Sequence, residues 1–426
     1  LREIPAPRAQ GFATEEDVKF GLFYQMQLPK PLDSDDWYPG QEAKLFQDCL
    51  EEIALADKLG FDHVWVAEHH FTGEYNHLSA SDVFLGAVAG CTKNIRMGHG
   101  IVQMMPANNH PVKVAENVAT IDLISNGRLE FGVGIGGATE QDAFWPELIE
   151  LAKAGKTHDV LWEATRECIR LMTMTPYPGH AGEYLRLPVV NVVPKPQQRP
   201  HPPLWLAVTS ERSLIMAAER GMGALCLAQG GPDVVEKRVE AYWERIHQGI
   251  KPIGAAINPV VCTFTNTLVA PTDAQARERE RGGAEFANYS MRRSHETTHG
   301  IAHFHRELGT NQKVAPSFAH VADSAAEREH AQRIAEKGAL DTSPDAPGSI
   351  IGSPETARKK MLGYEATGVD ILSFSQQVGI RRHEDIMESI ELIGKLLPEF
   401  KERHERGAAA RQERFDRLGI EVNASI

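Results

Sequence analysis

The amino-acid sequence predicts an α/β chain that closes as a (β/α)8 TIM barrel, with insertions and a C-terminal helical extension. Short β-branched or aromatic runs alternate with segments of helical period, and the runs number eight. The 426 residues also exceed the about 250 that a bare barrel needs. Strands that alternate with helices must pair in parallel, since each return crosses over a helix, and eight of them close naturally. An open doubly wound sheet is the alternative.

The first run, Val18 to Tyr24, leads through a proline-rich stretch into a helical pattern over Gln41 to Leu59, which Gly60 ends. His63 to Ala67 is the second strand and Ser79 to Cys91 its helix. Ile95 to Val102, the helix Val112 to Ile124, Arg128 to Ile135 and the helix Thr157 to Met172 repeat the cycle. A proline-dense segment from Tyr177 to Pro203 interrupts it. Strand Leu204 to Val208, helix Arg212 to Arg220, strand Ala224 to Ala228, helix Val234 to His247 and the β-rich Val260 to Val269 follow. Ser353-Pro354-Glu355 opens the next helix, with serine at the N-cap and proline at the first helical position. Asp370 to Ser375 is the eighth strand. The barrel thus spans 18–400, between an N-terminal tail (1–17) and a C-terminal tail (401–426). Residues 271–349, rich in charge and histidine, form an insertion that either lids the barrel mouth or runs as a solvated helical excursion.

Hydrophobic residues make up 42% and charged residues 24%, enough apolar material for a sizeable core. Lys and Arg number 45 against 58 Asp and Glu, and a net charge of −13 supplies no concentrated positive field for nucleic acid or an anionic membrane. No run approaches the roughly 18 apolar residues of a membrane span, and the first 17 residues carry charge and proline where a signal peptide would be apolar. Five cysteines, at 49, 91, 168, 226 and 262, form no C-x-x-C pair. They read as free thiols of a cytoplasmic protein. A homo-oligomer, by default a dimer through helices distant from the rim, is expected.

In such a barrel the reactive groups come from the loops that follow the strands, because the interior is filled with side chains. Glu68-His69-His70-Phe71 follow strand two, His99-Gly100 strand three and Thr209-Ser210 strand five, while strand four runs into Gly132-Val133-Gly134-Ile135-Gly136-Gly137. These four segments converge on one rim. Gly132-x-Gly134-x-x-Gly137 fits the dinucleotide fingerprint, but no helix clearly follows it, and close backbone packing explains it better. His295-Glu296-Thr297-Thr298-His299, with His305 at the third-ligand spacing, matches a zinc-hydrolase pattern. It lies in the insertion, its threonines weaken a helix, and a chain with 18 histidines produces such spacings by chance. A milder role has these histidines or Tyr289 line a substrate pocket. No metal is expected.

Five of these stretches resemble the bacterial luciferase family of flavin-dependent monooxygenases. Glu68-His69-His70-Phe71-Thr72 after an F-D-x-V-W strand does so, as do Gly98-His99-Gly100-Ile101 with His110-Pro111 downstream. Asp122-Leu123-Ile124-Ser125-Asn126-Gly127-Arg128, Ala218-Glu219-Arg220-Gly221, and Gly352-Ser353-Pro354-Glu355 with Gly368-Val369-Asp370 complete the series. The resemblance implies a two-component enzyme. An NAD(P)H:flavin reductase supplies reduced FMN as a diffusible co-substrate, which reacts with dioxygen to a peroxyflavin that oxygenates or oxidatively cleaves a small organic substrate. It assigns chemistry to His69, an imidazole able to exchange a proton at neutral pH, with His70 and Glu68 as its orienting neighbours. It places Gly100 and Ile101 beside the isoalloxazine, Gly100-Ile101 aligning with the family's non-proline cis peptide, with His99 either near the ring or in a structural hydrogen bond.

For the FMN phosphate the resemblance points to Thr209, Ser210 and Ser213, where hydroxyls and free N–H groups open a helix. Thr209 replaces a glutamate, and Ile135 stands where the family has an arginine. The phosphate charge then falls to Arg212 or to the backbone of Gly134, Gly136 and Gly137. A plain N-cap role for Ser210 is the structural alternative. Phe23, Tyr24, Gln25, His70, Tyr75, His77 and Met104 are expected to bound the substrate pocket. A deazaflavin-dependent hydride-transferring oxidoreductase shares the barrel and is the alternative function, and zinc hydrolysis through His295, Glu296 and His299 comes third.

Overall fold

Eight parallel strands close on themselves in the computed structural model, which describes residues 18–403 apart from 32, 33, 35, 138, 139, 141–143, 146, 228, 229, 284, 285, 288, 289 and 291–344, together with 413 and 416. They are β1 (Lys19–Tyr24), β2 (His63–Val66), β3 (Arg96–His99), β4 (Leu129–Gly134), β5 (Leu204–Val208), β6 (Gly223–Leu227), β7 (Val261–Val269) and β8 (Ile371–Ser375). Each pairs in parallel with the next. β8 returns to β1 in the register Lys19↔Ile371 to Phe23↔Ser375. Closure removes the open-sheet alternative. Short strands Val102–Gln103 and Ile350–Gly352 add to β4 and β7, and a hairpin of His180–Ala181 and Arg186–Leu187 occupies the proline-dense segment.

The helices among the described residues are α1 (Gln41–Leu59), α2 (Ser81–Cys91), α3 (Pro111–Ile124), α4 (Leu148–Lys153), α5 (Thr157–Thr173), α6 (Glu211–Glu219), α7 (Pro232–His247), α8 (Asp273–Glu280), α9 (Pro354–Glu365) and α10 (His383–Gly394). Gly60 ends α1 in the left-handed region, and the Ser353 hydroxyl accepts from Thr356 N at the start of α9. α10 was not read from the sequence. It packs on α1, and His383 reaches back to Glu52 at 2.9 Å. α8 lies in the stretch read as an insertion and docks through Ala276 against Leu268, Ala270 and Ile351. Tyr289, the cluster His295, Glu296, His299 and His305, and residues 1–17 and 417–426 lie outside the described residues. No described helix is long and apolar enough to cross a membrane.

Alternate residues of each strand face alternate sides, and this parity divides the core in two. Inside the barrel Phe23, Trp65, Trp205, Leu225, Phe264 and their neighbours form one cluster. Leu22, Val64, Met97, Phe131 and Leu206 join a larger cluster under the helices. Two tryptophans are accommodated inside because glycines face them: a Cβ on Gly98 would lie 2.4 Å from Trp65, and one on Gly223 2.3 Å from Trp205. The Trp205 indole N–H donates to Glu130 at 2.7 Å, and Arg96 neutralises that buried carboxylate. With the interior filled, the C-terminal rim is left for chemistry.

Candidate active site

His69 leaves the end of β2 on the loop toward α2, and its Nδ1 lies 2.9 Å from Oε1 of Glu140. Glu140 follows β4, 71 residues along the chain, and is 1% exposed. The same oxygen accepts from His70 N at 2.6 Å, while Oε2 accepts from Gly137 N and Gln103 Nε2, both at 2.7 Å. Burial alone would raise this carboxyl, but the hydrogen bonds from His69, His70 and Gly137 and the proximity of His69 outweigh it and hold the group below the ordinary range. Glu140 is therefore ionised at neutral pH and can only accept.

Glu68 turns from the reaction side. Its Oε1 takes Asn109 Nδ2 at 2.6 Å and His70 Nε2 at 3.1 Å, and Oε2 takes the Ser81 hydroxyl at 3.3 Å. It orients His70, whose ring meets Phe144 edge-on at 4.9 Å, with Phe71 beside it. Gln103 links the Glu140 carboxylate to the β2 loop backbone by also donating to the Glu68 main-chain carbonyl at 3.1 Å. On the β1 side Gln25 Nε2 donates to the Tyr75 hydroxyl at 2.6 Å, and the Tyr75 ring stands edge-on to His69 at 5.2 Å. Burial pushes the Tyr75 phenol up to about 12, so it stays protonated. His69, His70, Tyr75 and Gln25 thus lie together at this rim.

The peptide Gly100-Ile101 is cis. A Cβ on Gly100 would lie 3.4 Å from both Phe23 and Trp65, and Ile101 packs against the inner cluster. This puts both residues on the inner wall at the mouth.

Seven of the expected site residues are committed to other contacts. His99 faces outward by strand parity, fully buried under α2 and α3, with Nε2 2.8 Å from Asp82, whose other oxygen takes Asn117. Tyr24 likewise faces α1, beside Glu52 and Cys49, where burial drives its hydroxyl well above the ordinary phenol range. Met104 is 0% exposed within the sheet–helix cluster. His77 packs edge-on against Trp37 at 4.6 Å, with Glu42 of α1 3.8 Å from its Nε2. Gly137 spends its N–H on Glu140. Gly134 and Gly136 are small because Ile101 and Gln103 occupy the space a Cβ would take, so this loop serves close packing.

At the end of β5, Ser210 and Ser213 form a reciprocal capping box on α6: Ser210 Oγ accepts from Ser213 N at 3.2 Å, and Ser213 Oγ accepts from Ser210 N at 3.0 Å. Thr209 N also donates to Ser213 Oγ at 3.1 Å. Arg212 sits exposed on the first turn, close enough to help depress His158 at the start of α5, after burial and together with Arg220. Glu211 shares the first turn of α6 with Arg212, and Arg220 pairs with Glu219 at 3.5 Å. Among the described residues no group of three His, Cys, Asp or Glu is arranged to hold a metal.

Sequence reading missed Glu140, Gln103 and Asn109. Their one signal was a carboxylate three residues beyond Gly136-Gly137, in a loop without periodicity. A family profile described as luciferase-like monooxygenase matches residues 18–371. The chain belongs to the luciferase-like monooxygenase family. The oxygenase component of a flavin-dependent trigonelline monooxygenase from Acinetobacter baylyi is 24% identical over 395 residues, covering 90% of this monooxygenase and 96% of the relative. The oxygenating constituent of 3,6-diketocamphane monooxygenase of Pseudomonas putida, in complex with FMN, superposes with a TM-score of 0.63 at 18% identity, over 89% of this chain and 97% of that one. A coenzyme F420-dependent tetrahydromethanopterin reductase of Methanopyrus kandleri gives 0.60 at 20% identity, over 90% and 99%.

Proposed function

We propose that the protein is the oxygenase component of a two-component system, taking reduced FMN from a separate NAD(P)H:flavin reductase and using dioxygen to oxygenate or cleave a small cyclic or aromatic compound. The observation that carries this reading is His69, held by a buried carboxylate at the mouth of a luciferase-like barrel and close to a cis Gly100-Ile101 wall. The relative that matches along almost its whole length acts on trigonelline and is the oxygenase component of its system, which supports a ring substrate and a reductase partner. Five free cysteines fit a reducing cytoplasm.

The donor set fits a flavin. Gln376, directly after β8, is 1% exposed with neither amide atom hydrogen-bonded, and this reading assigns its acceptor and donor to the polar edge of the ring. Ile101 and Phe23 supply apolar wall. Ser210, Ser213 and Arg212 at the α6 N-terminus would hold the phosphate, with Arg212 in place of the absent arginine at 135. Bound reduced FMN would supply the electrons that activate dioxygen. The chain's own part is to position the ring, exclude water with Phe71 and Phe144, and move a proton at His69.

The test mixes the protein with photoreduced FMN and dioxygen in stopped flow. Faster flavin oxidation than in free solution, and label from isotopic dioxygen in the product, are expected; their absence rejects the reading. The shared fold of the F420-dependent reductase keeps a deazaflavin hydride transfer as the second reading. Turnover with deazaflavin under strict anaerobiosis would establish it, because an oxygenase is silent there.

A further inference from the structure

We propose that Glu140 is a positioning residue that fixes His69 as the Nδ1–H tautomer, leaving Nε2 as a proton acceptor, so that the first proton moved in the site runs from a bound reactant to His69. An ionised carboxylate has no proton to donate, so the 2.9 Å contact between Glu140 Oε1 and His69 Nδ1 requires the proton on Nδ1. With the ring neutral at rest, as proposed, it carries one N–H, so Nε2 holds a lone pair. Nε2 has no hydrogen-bond partner among the described residues, and the side chain is 27% exposed, so a reactant can reach it.

The carboxylate cannot turn away from this duty. Its four donors come from three loops: His69 and His70 after β2, Gln103 after β3 and Gly137 after β4. Rotation of the side chain would strand at least two of them. On proton transfer the N–H bond forms at Nε2, the electron pair stays on the donor atom of the reactant, and the imidazolium gains a buried counter-charge in Glu140. Glu140 touches no reactant in this scheme; it acts through His69.

The proposal rests on the proposed function for its consequence but not for its test, which uses the flavin-free protein. Nitrogen-15 spectra of the labelled protein at neutral pH, with His69 assigned by its loss in His69→Ala, report which ring nitrogen carries the proton. Wild type is expected to show the Nδ1–H form. Glu140→Gln is expected to move the population toward Nε2–H, because its amide adds donors where Gln103 and Gly137 already donate, and Glu140→Asp is expected to fall between. In turnover, Glu140→Gln should lower kcat roughly a hundredfold or more while reduced-FMN affinity stays within about twofold, with partial rescue in Glu140→Asp. If Glu140→Gln fails to fold, the Glu140→Asp spectrum and kcat decide alone. An Nε2–H tautomer or a doubly protonated ring in the wild type, or an unchanged tautomer and kcat in the folded variants, overturns the proposal. The expected tautomer in a protein that never oxidises reduced FMN supports the pair and rejects only the proposed function.

Discussion

Replacing Glu140 by alanine tests the rim network through stability. The substitution deprives four donors of an acceptor: two backbone amides, the Gln103 amide and the His69 ring. Water can rehydrate His69 and the half-buried amides of His70 and Gly137. Gln103 is 0% exposed, though it keeps its bond to the Glu68 carbonyl. At about 1 kcal/mol for each donor the loss is about 3–4 kcal/mol at pH 7. The pH dependence has a fixed sign. The folded-state pKa of Glu140 lies below its unfolded value, so its contribution is complete above about pH 4.3 and is lost as pH falls through the depressed folded value. Urea unfolding of both proteins, repeated at descending pH, should give a gap that is widest at neutrality and narrows in acid. A gap under about 1 kcal/mol at pH 7, or one that does not narrow, would refute the assignment of Glu140 as an ionised hub.

Three further outcomes follow from the geometry. His69→Ala should cut kcat by roughly 10²–10⁴-fold and barely change the dissociation constant of reduced FMN; equal losses in both would reassign His69 to binding. Arg212→Ala should weaken FMN about tenfold and leave riboflavin, which lacks the phosphate, unaffected; titration of both flavins shows whether the discrimination disappears. His99→Ala should cost about 2–3 kcal/mol in unfolding free energy by leaving Asp82 short of a partner, with catalytic constants unchanged. A large drop in kcat there would mean that His99 meets the reactants after all.

Much of the fold was legible in the chain because period and punctuation are local properties. Runs such as Val18 to Tyr24 and Leu204 to Val208, helices ended by Gly60 or opened by Ser353-Pro354, and the tally of eight strands all depend on neighbours within a few residues. The position of His69 after β2 and the cis Gly100-Ile101 peptide were anticipated through family resemblance. The inward or outward turn of single side chains was harder. His99 and Gly100 are adjacent, yet one joins the helix layer and the other the inner wall, since a strand reverses its face at every residue.

What the sequence by itself determined is the barrel, its rim and the imidazole on it, because hydrophobic period and turn chemistry act along the chain. Only the tertiary structure decided the partners. Glu140 meets His69 across 71 residues, and Tyr24 and Met104 are withdrawn into the sheet–helix core. Loop closure sets such long-range pairs, and no local pattern encodes which buried carboxylate will find which ring.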